Sequence, residues 1–470
     1  MSDLSRRTKI VATLGPATDA PGVLDALVGA GLDCARLNCS HGTGDDLRRR
    51  AAAVRAAAAA AGRPIALLLD LQGPKIRLGD TATSVVSPGD EVTFAVPGSQ
   101  ERAGDVPVVL EGFDRLVSER SELVIGDGSP RFAVEAVADG RVHARATTAG
   151  TLSSHKGISV THALPSLPAI TTKDLADLDL AAELDVDLVA QSFVRTADDV
   201  RQLRARLTER GSQARLIAKI EKIEAAERIE EILAASDGVM VARGDYGVEA
   251  GVDRVPLMQK DVIRRAVQVG KPAITATQML ESMLVNAEPT RAEASDVANA
   301  VIDGTSAVML SGETAVGQHP VEAVQWMARI AAAAEQSVDI GHASGPNAAE
   351  GPAGAVMAAA VELATATGAA ALLVPTSTGT SARACSKYRP RVPIVALAHD
   401  PRVANQLALE WGVIATTLPV AGTVDELIRA AIERSASIAA LEPGATVVLT
   451  AGNTGERGTT NLIVLRDVPR

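Results

Sequence analysis

Four short apolar runs between residues 216 and 313 are each followed by a cluster of polar residues. The side chains in these clusters that could do chemistry are Lys219, Glu221, Asp245, Thr277, Ser311 and Glu313. In a (β/α)8 barrel, the loops at the carboxyl ends of the strands gather such side chains at one mouth. A lysine and two carboxylates facing one pocket, with no histidine or cysteine nearby, suit an anionic substrate and a hard divalent cation such as Mg2+.

Each of these clusters also has a purely structural interpretation. Lys219 and Glu221 lie two residues apart at the end of a predicted strand and share a face, so they could form a plain ion pair. Asp245 follows a glycine, which allows a ligand to approach the backbone but is equally typical of a turn. The hydroxyls of Thr277 and Ser311 could cap the helices that follow them. Spacing alone leaves both interpretations open at each position.

Two further polar clusters lie upstream. Arg36, Asn38 and Ser40 alternate at the end of a predicted strand and therefore share one face. His41 is a lone histidine beside them, and a structural role is the better interpretation for it. Asp70 continues a buried apolar strand, so its charge should need a partner there.

The elements that would position these residues follow a regular strand–helix rhythm. Three strands precede a stretch of short alternating strands with Pro and Gly turns, and five more strands follow it. This pattern predicts an eight-stranded barrel with a β domain inserted between the third strand and its helix. A second, open α/β domain is predicted after a Gly-, Pro- and Ala-rich linker. The predicted segments are residues 1–72 and 168–342 for the barrel, 73–167 for the insertion, 343–354 for the linker and 343–470 for the C-terminal part.

Composition narrows the class of protein. The chain has 470 residues, of which 47% are hydrophobic and 22% charged, as expected for a globular protein of several domains. The net charge of -11 argues against non-specific binding to nucleic acid or to an anionic membrane. Three cysteines give no disulfide framework, and no signal segment or membrane span is evident, so we expect a cytoplasmic protein. Only nine of the 46 basic residues are lysines, which makes Lys75, Lys156 and Lys219 informative.

Together these motifs resemble the pyruvate kinase family. The resemblance covers nearly the whole predicted barrel, and its most specific stretches are Pro-Thr-Arg-Ala-Glu at 289–293 and Met-Leu-Ser-Gly-Glu-Thr at 309–314. It implies an α/β fold: a (β/α)8 TIM barrel with an inserted β-barrel lid and a C-terminal open α/β regulatory domain. It also implies phosphoryl transfer from phosphoenolpyruvate to ADP, giving pyruvate and ATP, with Mg2+ or alternatively Mn2+ as cofactor. The family is usually tetrameric, so a homotetramer is expected.

The resemblance further implies roles for individual residues. Those expected at the transferred phosphoryl group and the substrate are Arg36, Lys219, Gly244, Asp245 and Thr277, with Glu221 and Asp245 as Mg2+ ligands. The proton for the enolate would come from Thr277 or from a water held through Ser311 and Glu313. Nucleotide contacts are expected from Asn38, Arg77 and Lys156. A pocket for a monovalent cation is expected from Asn38, Ser40, Asp70 and the carbonyl of Leu71.

One departure from the family pattern concerns potassium. Lys75 stands where potassium-dependent members carry glutamate, and Leu71 and Gln72 replace their usual threonine and lysine. We expect the ammonium of Lys75 to fill the monovalent-cation pocket, because a bound K+ and this ammonium would repel each other in one partly buried site. This interpretation predicts activity without added K+. The alternative is that Lys75 points to solvent at the hinge of the lid.

A loop rich in serine and threonine follows a predicted strand of the C-terminal domain. Its residues are Thr376, Ser377, Thr378, Gly379, Thr380 and Ser381. Hydroxyls and backbone N–H groups at a helix start can bind a phosphate, although a plain helix cap is the alternative. The family's effector site lies in this loop, which favours a phosphorylated allosteric ligand, with the loop at residues 452–458 opposite.

Two other functions fit part of the pattern. One is a barrel lyase of the aldolase type that acts on an enolpyruvate, and the predicted nucleotide-binding lid argues against it. The other is a catalytically silent protein that binds sugar phosphates. The complete set of barrel-mouth residues argues against that second function.

Overall fold

The computed structural model describes residues 6–99, 102–126, 128–161, 168–337, 340, 351–452 and 460–470. Residues 343–350 of the predicted linker and 453–458 of the predicted opposing loop lie outside this part of the chain. Residues 351–354 are already helical, so the predicted end of the linker is wrong. Pro352 was counted as a linker residue, but proline is also tolerated in the first turn of a helix. An N–H at that position would have no partner within the helix, so its absence costs nothing.

The strands, numbered along the described chain, are β1 Lys9–Thr13, β2 Cys34–Asn38, β3 Ala66–Asp70, β4 Ile76–Arg77, β5 Ser84–Val86, β6 Glu91–Ala95, β7 Val106–Pro107, β8 Glu122–Ile125, β9 Arg131–Ala138, β10 Arg141–Ala146, β11 Gly150–Leu152, β12 Gly157–Thr161, β13 Leu188–Gln191, β14 Arg215–Ile220, β15 Gly238–Ala242, β16 Ala273–Ala276, β17 Ala307–Leu310, β18 Ala371–Thr376, β19 Ile394–Ala398, β20 Val413–Thr417, β21 Thr446–Gly452 and β22 Thr460–Asp467.

The α-helices, numbered in the same way, are α1 Val23–Ala30, α2 Gly44–Ala61, α3 Thr172–Glu183, α4 Ala197–Glu209, α5 Ile223–Glu227, α6 Ile229–Ala235, α7 Arg243–Ala250, α8 Val255–Gln268, α9 Arg291–Ile302, α10 Gly312–Ala315, α11 Pro320–Ser337, α12 Gly351–Ala366, α13 Thr380–Ser386, α14 Pro401–Leu407 and α15 Val424–Ala439. Short 3-10 helices span Pro16–Thr18, Phe113–Arg115 and Glu281–Leu284.

Several helices begin with the same local sequence, a threonine followed three residues later by an acidic residue. The threonine hydroxyl accepts a hydrogen bond from the backbone of the acidic residue, whose carboxylate in turn accepts from the threonine N–H. This capping box satisfies backbone donors that have no partner inside the helix, so it fixes where the helix starts. The threonines are Thr43, Thr171, Thr196, Thr290 and Thr423.

The barrel closes with eight parallel strands in the order β1-β17-β16-β15-β14-β13-β3-β2. Three of these strands precede the insertion and five follow it, as the sequence predicted. Their residues are almost all buried, because one face packs in the barrel and the other under the helices. This arrangement explains the continuous runs of Val, Leu, Ile and Ala.

The insertion between β3 and β13 forms the lid. Its main sheet has the order β4-β12-β8-β9-β10-β6-β7, and a bridge between Leu78 and Val108 joins its two ends, so the sheet curls back on itself. Phe94 and Phe132 meet edge to face in its core, with ring centroids 5.2 Å apart. The predicted β lid is therefore confirmed.

The C-terminal domain is an open five-stranded sheet in the order β20-β19-β18-β21-β22, with β22 antiparallel to its neighbour. Met357 of α12 and Ala382 of α13 pack on one face, and Ile428 and Ala431 of α15 pack on the other. The predicted open α/β domain is confirmed. No helix among the described residues is long and apolar enough to cross a membrane.

The C-terminal domain docks against the end of the barrel where the strands begin. Leu409, which follows α14, packs with residues inside the barrel such as Val11 and Cys34. The ammonium of Lys9, at the start of β1, donates a hydrogen bond to the carbonyl of Val413 at 2.8 Å. The carboxyl ends of the strands, which carry the polar clusters, are therefore left facing the lid.

Candidate active site

Lys219 lies among polar side chains at the carboxyl end of the barrel. Its Nζ is 2.9 Å from an oxygen of Glu221 and 3.3 Å from an oxygen of Asp70. It also donates a hydrogen bond to the Ser192 hydroxyl at 2.7 Å. The side chains of Asp70 and Glu221 are each only 1% exposed. The ion pair considered from the spacing of Lys219 and Glu221 is present, and Asp70 extends it.

Arg36 on β2 brings a second cation to the same place. Its Nε donates to Asp70 at 2.7 Å, and its Nη1 donates to the hydroxyl of Thr13 at 2.9 Å. Asp70 therefore lies between Arg36 and Lys219, which provides the partners that a buried charge requires. Burial would raise the pKa of Asp70, but Lys219 and Arg36 outweigh burial and lower that pKa below its ordinary value. The ionised carboxylate holds the two cations together.

Lys219 also lies near two carboxylates, Glu221 and Asp245, which carry like charges. Burial would lower the pKa of Lys219, but Asp70 and Glu221 outweigh it and raise the pKa above its ordinary value, so the side chain stays a cation. Burial raises the pKa of Glu221, and the negative charge of Asp245 adds to this rise against the attraction of Lys219. Glu221 and Asp245 thus repel each other across the barrel mouth.

Glu221 and Asp245 suit a divalent cation that has few protein ligands. A cation between them would remove their repulsion and favour the ionised form of both. One oxygen of Glu221 accepts a hydrogen bond from the N–H of Phe193 at 2.6 Å, which fixes the carboxylate at the barrel mouth. In the part of the chain that the structure describes, no three His, Cys, Asp or Glu side chains are grouped as metal ligands. Water and substrate oxygens would have to complete the shell, which is the usual arrangement for Mg2+.

Thr277 is held in an unusual backbone conformation beside Gly244. Its φ is 68° and that of Gln278 is 54°, in the left-handed region that β-branched residues rarely adopt. The Thr277 hydroxyl accepts a hydrogen bond from the N–H of Gly244 at 3.0 Å and donates to the carbonyl of Ala276 at 2.7 Å. An ideal Cβ at position 244 would lie 3.6 Å from this hydroxyl, which is an ordinary van der Waals contact, so this hydrogen bond does not itself require a glycine.

Arg243 stabilises this conformation. Its guanidinium donates to the carbonyls of Thr277 and Gln278, at 2.6 Å and 3.1 Å from Nη2. Its Nη1 pairs with Asp296 at 2.6 Å, which orients the guanidinium from the other side. Arg243 is therefore a positioning residue for Thr277.

Ser311 and Glu313 lie where the sequence predicted, after β17, but they do different things. One oxygen of Glu313 accepts from the N–H of Ser311 at 2.7 Å and the other from the N–H of Leu280 at 3.1 Å. Glu313 is fully buried and ties two loops together. The hydroxyl of Ser311 is buried and has no hydrogen-bond partner in the described part of the chain, and Ser311 lines the cleft.

A cleft of about 1680 Å3 lies between the barrel mouth and the lid. Asp245, Thr277 and Ser311 line it from the barrel, and Arg77 and Lys156 line it from the lid. Nη1 of Arg77 donates to the carbonyl of His155 at 3.0 Å, and the ammonium of Lys156 donates to the carbonyl of Thr151 at 2.8 Å. The two predicted nucleotide-binding cations therefore face the predicted substrate residues across one space. Arg36 and Glu221 are buried and the side chain of Lys219 is 11% exposed, and none of the three is among the residues that line the cleft.

The residues of the predicted monovalent-cation pocket are adjacent in the structure. Asn38 and Asp70 are register partners on β2 and β3, and the Asn38 side-chain oxygen accepts from the N–H of Ser40 at 3.0 Å. The carbonyl of Leu71 accepts from the Ser192 hydroxyl at 2.7 Å. The structure thus brings together all four positions that the resemblance suggested.

The expected position of Lys75 within this pocket is wrong. Lys75 is exposed, and its Cε would lie 3.4 Å from a Cβ at Gly157 of the lid strand β12. The turn at Gly73 directs the chain into the lid, and Asp70 is already paired with Arg36 and Lys219, so it does not require a third cation. The positive charge of Lys75 nevertheless reaches this region. Burial, Arg77 and Lys75 together lower the pKa of His41 below its ordinary value.

The predicted effector loop joins β18 to α13. The hydroxyl of Thr376 accepts a hydrogen bond from the N–H of Gly379 at 2.9 Å, and the hydroxyls of Thr378 and Thr380 bond each other at 2.9 Å. Ser377, Thr378 and Thr380 are exposed. Ser381 contacts Thr460 at the start of β22, with the two hydroxyl oxygens 3.1 Å apart.

Sequence reasoning missed three residues that complete the mouth, namely Ser192, Phe193 and Arg243. The first two follow β13, the one strand after the insertion whose polar end was overlooked, although it has the same apolar-then-polar pattern as its neighbours. Phe193 has a φ of 56°, which turns its N–H toward Glu221. No sequence signal shows that the guanidinium of Arg243 reaches back to another loop.

Comparisons with known proteins cover almost the whole chain. The family model described as pyruvate kinase, barrel domain, matches residues 5–324, and the model described as pyruvate kinase, alpha/beta domain, matches residues 354–465. The pyruvate kinase of Clostridium acetobutylicum is 38% identical over 473 residues, which cover 98% of this chain and 100% of that protein. The pyruvate kinase of Mycobacterium tuberculosis is 40% identical, with 98% of each chain covered. That of Geobacillus stearothermophilus is 40% identical over 98% of this chain and 80% of its own length.

Proposed function

Because the chain belongs to the pyruvate kinase family, we propose that its barrel mouth transfers the phosphoryl group of phosphoenolpyruvate to ADP, giving pyruvate and ATP. The observation that best supports this proposal is the position of Lys219. Its ammonium is kept protonated by Asp70 and Glu221, next to a cleft lined by cations of the lid. Phosphoryl transfer depends on positioning and charge neutralisation more than on covalent help from the protein.

Each predicted residue has a task that its surroundings support. Lys219 and Arg36 are fixed cations that can neutralise the transferring group, because Asp70 pairs with both of them. Glu221 and Asp245 would hold Mg2+, or alternatively Mn2+, and the ion would supply positive charge at the substrate oxygens. The N–H of Gly244 and the hydroxyl of Thr277 would orient the substrate carboxylate and enolate.

Two donors remain for the proton that the enolate needs. The Thr277 hydroxyl lies at the cleft in a fixed orientation, and the Ser311 hydroxyl has an unused hydrogen-bonding capacity that would hold a water. Both oxygens of Glu313 are engaged by backbone N–H groups, which favours a positioning task for this carboxylate.

The lid would bind the nucleotide and exclude water. Arg77 and Lys156 face the mouth across the cleft and would contact the phosphates of ADP. A contact from Asn38 on the barrel side is proposed from the family resemblance alone. Closing of the lid over the mouth would protect the transferring phosphoryl group from hydrolysis.

The enzyme is still proposed to be active without K+, but no longer because the ammonium of Lys75 fills the cation pocket. The ammonium of Lys75 does not occupy the pocket, but with Arg36 and Arg77 it contributes to a positive field that acts on His41, directly after Ser40. A further cation bound at Asn38, Ser40 and Asp70 would be repelled by that field.

Allosteric regulation by a phosphorylated metabolite is proposed for the loop Thr376–Ser381. Exposed hydroxyls, backbone N–H groups and the left-handed Gly379, with a φ of 83°, suit a phosphate group. Arg383 links this loop to the rest of the protein, because its Nη1 donates to the carbonyl of Thr378 at 2.9 Å. Association of four copies is proposed from the family alone.

The proposed activity is tested by measuring pyruvate formation from phosphoenolpyruvate with and without ADP, using lactate dehydrogenase to consume the product. ADP-dependent pyruvate formation that requires a divalent cation is the expected result. Pyruvate released from another substrate without ADP would favour the lyase, and binding of sugar phosphates without turnover would favour the silent regulator.

A further inference from the structure

A small cavity, here called the interdomain cavity, lies where the C-terminal domain meets the barrel, at the opposite end from the candidate active site. Its volume is about 10 Å3. Gly270 and Ser306, which precede β16 and β17, line it from the barrel, and Arg383 and Arg389 line it from the C-terminal domain. Space of this size accommodates one water molecule or one monatomic ion, and no sugar phosphate.

The charged residues that line the interdomain cavity are mostly cationic. Four of the described residues that line it are cationic, Lys271, Arg383, Lys387 and Arg389, whereas Glu410 is the single acidic one among them. The Nε of Arg383 already pairs with Glu410 at 2.8 Å. Lys387 has a further interaction partner, so the pair that matters is Arg383 and Arg389, which share the one carboxylate of Glu410 in this lining.

Two N–H groups of these arginines lack hydrogen-bond partners. Among the residues that the structure describes, none is a hydrogen-bond partner of Nη2 of Arg383 or Nε of Arg389, and the two residues are only 7% and 9% exposed. Burial lowers the pKa of Arg383 to about 10 and that of Arg389 to about 9, and the acidic neighbours Glu410, Asp237 and Glu335 oppose this only in part. An anion between the two guanidinium groups would supply both the missing acceptor and the missing charge.

Arg389 is fixed in place rather than free to turn away. Its Nη2 donates to the carbonyl of Gly304 at 2.8 Å and to the hydroxyl of Ser306 at 3.1 Å. Its guanidinium lies over the ring of Trp411, 4.8 Å from the centroid. Its backbone has a φ of 48°, in the left-handed region that a residue with a Cβ adopts only under constraint from its surroundings. A rigid arginine with an unused donor is typical of a built anion site.

We propose that the interdomain cavity binds one monatomic anion, chloride in ordinary solution, between Nη2 of Arg383 and Nε of Arg389. The anion would join the two domains through the cations that line the cavity. Since Arg383 also donates to the carbonyl of Thr378, the bound anion would hold that arginine at the base of the loop Thr376–Ser381.

The test measures the Tm of the full chain in chloride and in gluconate, an anion too large for the cavity. The two salts are used at equal ionic strength, so that general screening of charges is the same in both. Chloride and bromide should raise the Tm saturably, by roughly 1–3 °C at ten times the dissociation constant, and gluconate should not. Arg389→Gln should abolish the chloride-specific rise. Arg429→Gln, which removes an exposed arginine from α15 of the same domain, should leave it unchanged.

Crystals of the wild-type protein soaked in bromide provide a measurement that does not depend on a variant. An anomalous peak between Arg383 and Arg389 is the expected result. A Tm that is the same in chloride and gluconate, together with a water and no anomalous peak in the cavity, would overturn the proposal.

Discussion

Replacement of Arg243 by lysine should separate positioning of the substrate from folding of the barrel. Arg243 donates to the carbonyls of Thr277 and Gln278 and pairs with Asp296. Lysine keeps the charge, and so the attraction to Asp296, but it lacks the planar fork that reaches several acceptors at once. Thr277 should therefore lose part of what holds it in the left-handed conformation.

The expected magnitude follows from the contacts. Two non-glycine residues in the left-handed region cost about 1–3 kcal/mol each. Each hydrogen bond from a charged donor contributes about 1.5–3 kcal/mol, so the bonds of Arg243 to the two carbonyls roughly offset this strain. Losing one or both would let Thr277 relax, and a displacement of about 1 Å at a reacting centre costs about 100-fold in rate. We therefore expect kcat of Arg243→Lys to fall about 100-fold, or about 2.7 kcal/mol in the barrier.

The assay is pyruvate formation at saturating ADP, with kcat and KM for phosphoenolpyruvate determined separately. KM should change only a few-fold, because the substrate contacts proposed for Arg36 and Lys219 are left intact. Arg254→Lys is the matched control, since Arg254 lies on the next loop with its side chain 72% exposed and should be silent. A folded Arg243→Lys enzyme with kcat within about threefold of the wild type would refute the argument that Arg243 positions Thr277.

The remaining predictions concern charge, stability and regulation. Lys219→Met should lower kcat at least 100-fold, about 3 kcal/mol, with Mg2+ binding retained; a variant with near-normal turnover would contradict its role. In tetramethylammonium buffer the wild type should be active with little stimulation by K+, and Lys75→Glu should make activity K+-dependent; strong activation of the wild type by K+ would refute the proposal. Burial would raise the pKa of Asp33, but neighbouring cations outweigh burial and lower that pKa below its ordinary value. Ionised Asp33 therefore stabilises the folded protein above about pH 4, and this stabilisation is lost as the pH falls through the lowered pKa. Asp33→Asn should therefore be about 3 kcal/mol less stable in urea at pH 7, and its stability should fall less than that of the wild type below pH 4. Replacing Thr378 and Ser381 by glutamate should remove activation by phosphorylated metabolites and spare basal activity; if no such metabolite alters wild-type kinetics, the loop is only a helix cap.

The sequence by itself determined the architecture and most of the barrel mouth. Strand–helix periodicity is a local property, and side chains at the ends of parallel strands must meet once the barrel closes, so Lys219, Glu221 and Asp245 could be placed together from their spacing. Capping boxes such as Thr290 with Glu293 are also local, and they fixed several helix starts directly. The three domains followed from changes in the same periodicity.

Contacts between loops that are distant in sequence were decided only by the tertiary structure. Nothing local shows that Arg243 holds the loop at Thr277, or that Ser192 and Phe193 complete the surroundings of Lys219 and Glu221. Lys75 was misplaced because a long flexible side chain can reach several sites, and the choice among them depends on which charges are already paired. Asp70 is satisfied by Arg36 and Lys219, and this pairing exists only when β2, β3 and β14 come together in the closed barrel.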